Sequence, residues 1–93
     1  MGKTIEILVG KKAVMNYVLA TLMQLGNEVD SIIIKARGRA ISKAVTVAEI
    51  IKQKLLKGKM EVKGVRIGSE LVGEGENARN VSVIEITLAK PEK

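Results

Sequence analysis

Apolar positions along the chain follow two rhythms, and the change between them separates an α/β part from a purely extended part. Thr4-Ile5-Glu6-Ile7-Leu8-Val9 is a β-rich run stopped by Gly10, which predicts a buried strand. From Ala13 to Leu25, Val14, Tyr17, Val18, Leu22 and Leu25 recur at helical spacing and Gly26-Asn27 ends the pattern. Val29 to Ala36 predicts a second strand, whose unbroken Ile32-Ile33-Ile34 fits a central position covered on both faces. Gly38 to about Lys57 predicts a second helix with Ile41, Ala44, Val45, Ala48, Ile51 and Leu55 on one stripe and Gly58 beyond its end.

After Lys59 the rhythm becomes alternation: Met60 and Val62, then Val65, Ile67 and Leu71. The parity reverses across Lys63-Gly64, which predicts a bulge in a long strand. Val81 and Val83, then Ile84, Ile86 and Leu88 predict a partner strand with a similar slip, closed by Pro91. Between the two, the polar, Gly-rich segment Gly73 to Asn80 predicts a mobile, projecting hairpin tip. The order β-α-β-α-β-β describes one α/β domain over residues 1–93, an α+β two-layer sandwich. Right-handed crossovers make the first two strands parallel, so the turns leaving them open at one edge of the sheet. Gly10-Lys11-Lys12 then lies beside Ala36-Arg37-Gly38-Arg39.

Met15, Leu19 and Met23 form a second apolar stripe on the first helix. It either completes the core or contacts another subunit, and the pattern leaves both open.

Charge turns that shared edge into a candidate site. Residues 1–59 hold 11 Lys and Arg against 4 Asp and Glu, a net of +7, whereas residues 60–93 hold 5 against 6, a net of −1. A helix start carries the positive end of the macrodipole and unsatisfied N–H groups, so cations there are disfavoured by about 0.3–1 kcal/mol each. Arg37, Arg39 and Lys43 at the start of the second helix therefore point to an absent anion, phosphate first. Lys52, Lys54 and Lys57 at its other end complement the dipole and have an ordinary structural reason. Glu28, Asp30 and Glu49 are the acids near the arginines in sequence. Lys11 and Lys12, read alone, are ordinary surface lysines; paired with the arginine turn they join an anion site whose glycines admit close backbone approach.

The rest of the composition excludes alternatives. There is no Cys and no His, which removes disulfides, the usual zinc ligands and the usual general base, so no metal and no cofactor is expected. After the first strand there is no dinucleotide Gly-x-Gly turn, no complete Walker loop (Gly, four residues, then Gly-Lys-Ser/Thr) occurs, and no acid pair suits catalysis, so an enzyme is not expected. No leader or membrane-spanning run is expected, which gives a soluble, intracellular protein with no membrane partner. Tyr17 is the sole aromatic, too few for stacking single-stranded bases, and it fits the core stripe with its hydroxyl toward the surface. A duplex held by its backbone remains.

Gly10-Lys11-Lys12-Ala13-Val14-Met15-Asn16-Tyr17-Val18 and Ile34-Lys35-Ala36-Arg37-Gly38-Arg39-Ala40-Ile41-Ser42-Lys43-Ala44-Val45 resemble the signature segments of the Alba family of archaeal chromatin proteins. The resemblance implies a fold like the C-terminal domain of bacterial translation initiation factor three and a homodimer. It implies sequence-nonspecific binding of double-stranded DNA with compaction or bridging, frequent RNA binding, and a place in the cytoplasm on the chromosome. It maps nucleic-acid contacts onto Lys11, Lys12, Arg37 and Arg39, with acetylation expected at Lys11. Lys43 joins them from the charge pattern, with Asn16 and Tyr17 secondary. The hairpin is expected to reach the minor groove with Arg79 as its only cation. Ala13 replaces the family's proline, Glu74 and Glu76 would repel phosphate, and Leu55 falls where relatives carry an aromatic at a dimer–dimer contact.

Overall fold

The computed structural model describes residues 2–25, 29–55 and 59–90, apart from the Leu55 side chain. Strands β1 (Lys3–Val9), β2 (Val29–Arg37), β3 (Glu61–Val72) and β4 (Arg79–Ala89) form one sheet in the order β1-β2-β4-β3. Helix α1 (Val14–Gln24) joins the first two strands, and α2 (Ile41–Ile50) follows β2 through a 3-10 turn at Gly38–Ala40. A π-helical turn at Ile51–Leu55 extends α2. The expected stops at Gly26-Asn27, Gly58 and Pro91, together with Glu28 and Lys57, lie outside the described residues.

β1 and β2 are parallel, and β4 runs antiparallel to both β2 and β3. Both crossovers, β1 to β2 and β2 to β3, therefore move across the sheet in the same direction. Right-handedness then places both helices on the same face. This corrects the expectation that β2 is covered on both faces. Val29, Ile32, Ile34 and Ala36 are buried beneath the helices, while Ser31, Ile33 and Lys35 are only partly buried on the other side.

The core fills the space between sheet and helices. Ile5, Ile7, Val9, Ile32, Ile34, Ile86 and Leu88 meet Val18, Ala44, Val47, Ala48 and Ile51. Two stripe positions differ from the periodicity. Thr21 takes the core position beside Leu22, fully buried with its hydroxyl donating to the Tyr17 carbonyl at 2.9 Å, so Leu22 is turned toward solvent. In α2, Val47 is buried and Val45 is exposed, because the core row runs through 44, 47, 48 and 51.

β3 and β4 form the long hairpin, with a register shift between Val62 and Gly64 where the bulge is expected. The second slip, in β4, is absent: pairing is continuous from Val72 opposite Arg79 to Gly64 opposite Thr87. Val81 and Val83 simply occupy the helix-free face, and Ile84, Ile86 and Leu88 the helix face. β2 pairs with β4 only as far as Val83, so the last four residue pairs, Ser69–Val72 with Arg79–Ser82, extend past the sheet. They project from the edge at which β1 and β2 end. The tip closes through a 3-10 turn at Gly75–Asn77, with Gly73 and Gly75 at φ of 93° and 58° where a side chain would be strained.

Candidate nucleic-acid interface

The β1–α1 turn owes its shape to two side chains. The Tyr17 hydroxyl accepts the backbone N–H of Gly10 at 2.9 Å and of Lys12 at 3.0 Å. Lys43 Nζ, from the first turn of α2, donates to the carbonyls of the same residues, Gly10 at 3.0 Å and Lys12 at 2.6 Å. Four backbone polar groups of a surface turn are thus satisfied from inside the fold. Lys11 and Lys12 are left with exposed side chains.

The same bonds tie this turn to its neighbour. Val9 pairs with Ala36, so Gly10 leaves β1 next to Arg37 at the end of β2, and Lys43 spans from α2 to both residues of the first turn. Gly38 opens the 3-10 turn at φ 58°, and a Cβ there would meet Val81 Cγ1 at 3.4 Å. Glycine takes this left-handed conformation without strain, and it leaves room beside the hairpin where a Cβ would touch Val81. Arg37 and Arg39 flank it, both exposed. Among the described residues, no side-chain cap and no acidic residue in the first turn answers the dipole of either α1 or α2.

The structure brings Lys11, Lys12, Arg37 and Arg39 to one edge. It gives Lys43 a different position from the rest, since its ammonium is engaged with two carbonyls of the turn. Asn16 is exposed in the first turn of α1, and Tyr17 packs against the core while its hydroxyl reaches the turn. Burial pushes the Tyr17 phenol up, but the Lys12 and Gly10 amides and the Lys43 and Lys12 charges outweigh it, and the net direction is below the ordinary tyrosine value. Arg79 is exposed at the base of the hairpin tip.

One acid near the edge was invisible in the sequence. Arg37 Nη1 lies 3.3 Å from Glu70 Oε1 on β3, so its partner comes from 33 residues away rather than from Asp30 or Glu49. Asp30 pairs instead with Lys90 at 3.3 Å. The hairpin register is the signal that locates Glu70, because Glu70 faces Val81 on the strand beside Arg37. Further ion pairs on the helix-free face, Glu6–Lys35–Glu85–Arg66, cross the sheet at 3.5–3.6 Å. No helix among the described residues is long and apolar enough to cross a membrane.

A two-layer α+β domain with paired cationic turns at one edge and a projecting hairpin is the class this architecture defines. The chain belongs to the Alba family, whose pattern matches residues 5–69. It is 49% identical over 85 residues to the DNA/RNA-binding protein Alba 1 of Archaeoglobus fulgidus, covering 91% of this chain and 94% of that protein. Among solved structures, Alba from Thermoplasma volcanium superposes with a TM-score of 0.82 at 47% identity, covering 91% of this chain and 99% of that one. ALBA1 from Trypanosoma brucei gives 0.72 at 26% identity, over 91% and 68%.

Proposed function

We propose that this chain is a homodimeric chromosomal protein of the cytoplasm. It binds double-stranded DNA without sequence specificity, compacts or bridges it, and binds RNA through the same edge. The observation that carries the reading is the double grip of Tyr17 and Lys43 on the Gly10–Lys12 turn, which sets Lys11 and Lys12 beside Arg37 and Arg39. Four exposed cations on a fixed frame suit a phosphate backbone, and Arg79 on the hairpin adds a fifth farther out. With Tyr17 engaged by the turn, the chain has no aromatic for stacking bases, which favours backbone over base recognition. Acetylation at Lys11 would remove one of the four charges.

The Archaeoglobus relative is named for both DNA and RNA, and the edge offers backbone contacts that serve either duplex. Equal affinity for unrelated DNA duplexes of one length, with structured RNA competing at the same salt concentration, supports this function. Marked preference for one sequence, or no binding to either polymer, refutes it.

The dimer surface in this proposal is the helix-side row of β3. Val65 is 54% exposed and Ile67 82%, although both face the side on which their neighbours Ile86 and Ile84 meet the core. Exposed Val45 of α2 belongs to the same helix layer. A second copy would cover what the helices of one chain do not reach. The exposed stripe of Met15, Leu19 and Met23 on α1 is then available for dimer–dimer contact.

A further inference from the structure

We infer that Glu70 sets the affinity of the cationic edge by competing with phosphate for Arg37, an inference that rests on the reading of Arg37 as a backbone contact. Arg37 and Glu70 both stand on the helix-free face. Arg37 shares its row with Val83 and Gly68, and Glu70 lies one row nearer the hairpin tip, opposite Val81. Gly68 has no side chain to stand between them, and the guanidinium reaches the carboxylate at 3.3 Å with 62% and 56% of the two side chains exposed.

A pair this exposed adds little to folding and is screened by salt. Its effect on binding is different, because a carboxylate presents the same pair of anionic oxygens that a phosphodiester does. Among the described residues, Lys11, Lys12 and Arg39 have no acidic partner, so Arg37 is the edge cation that comes with its own anion. A phosphate arriving at Arg37 must displace Glu70, and the displaced carboxylate remains beside it. Affinity is thereby lowered and one phosphate contact is partly withheld. Glu74 and Glu76 lie in the hairpin tip, farther along the chain than the base that carries Glu70.

The test uses the full chain and a short mixed-sequence DNA duplex, titrated at several salt concentrations. Glu70→Gln keeps the shape and removes the charge; it is expected to tighten binding about threefold to tenfold and to steepen the salt slope by up to about 0.9. In an Arg37→Ala background the same substitution is expected to gain almost nothing. A gain that persists at full size without Arg37 would make Glu70 a general repulsive charge and overturn the inference. Weaker binding by Glu70→Gln would make Glu70 an orienting partner of Arg37 and overturn it too, as would unchanged binding. If Arg37→Ala alone leaves affinity intact, the reading of the edge itself fails, an outcome distinguishable from the others.

Discussion

Tyr17 and Lys43 hold opposite backbone groups of the same two residues: the phenol oxygen takes the amides of Gly10 and Lys12, and the ammonium takes their carbonyls. Neither residue alone could satisfy the turn, since one accepts and the other donates. Lys43 thus serves the cationic edge from behind. Ala13 does not fix the backbone as a proline would, and the stiffness of the turn comes from tertiary bonds.

The grip predicts an anomalous phenol. Tyr17 is the chain's sole aromatic, so its near-ultraviolet absorbance titrates in isolation. Its midpoint is expected below that of free tyrosine, held down by the backbone amides and the cations against the opposing effect of burial. Lys43→Met should move the midpoint up. The fold favours the ionised phenol, so Tyr17's share of stability rises with pH between the folded and unfolded midpoints and is constant below the folded one. A midpoint at or above the free value would contradict the grip.

Packing predicts a contrast between two isoleucines. Ile34 is fully buried, and Ile34→Ala should cost about 2–5 kcal/mol in urea unfolding. Ile67 is 82% exposed, and Ile67→Lys should leave the far-ultraviolet circular dichroism of the folded chain intact while lowering the mass seen by sedimentation equilibrium from dimer to monomer. A dimer that survives Ile67→Lys would move the subunit contact away from β3.

Charge predicts the effect of modification at Lys11. Lys11→Gln should weaken duplex binding and reduce the magnitude of the salt slope by about 0.9, the share of one phosphate contact. A weakened complex with an unchanged slope would remove Lys11 from the phosphate-contacting set.

Local rhythm was enough to read all six strands and helices and the bulge at Lys63-Gly64, because each depends on side-chain period and on glycine. Convergence of the two cationic turns was legible as well, since handedness leaves a parallel pair little choice. Glu70 and the role of Lys43 were not, because both act across more than 30 residues of sequence. Coverage of β2 is hidden for a related reason: a run of three isoleucines looks the same whether one face or two are packed, and only the direction of both crossovers decides. Thr21 in the core in place of Leu22 depended on a hydroxyl finding the Tyr17 carbonyl, which periodicity does not register.

The most direct measurement is the salt dependence of duplex DNA affinity for the wild type and for the double variant Arg37→Ala, Arg39→Ala. With Lys11, Lys12 and Arg39 of one copy on phosphates and Arg37 partly held by Glu70, the wild type should lose affinity by roughly 40-fold to 150-fold for a fourfold rise in salt, and the double variant by only about 12-fold. Equal slopes for the two proteins, or an affinity in the wild type that hardly responds to salt, would contradict the assignment of this edge to nucleic acid.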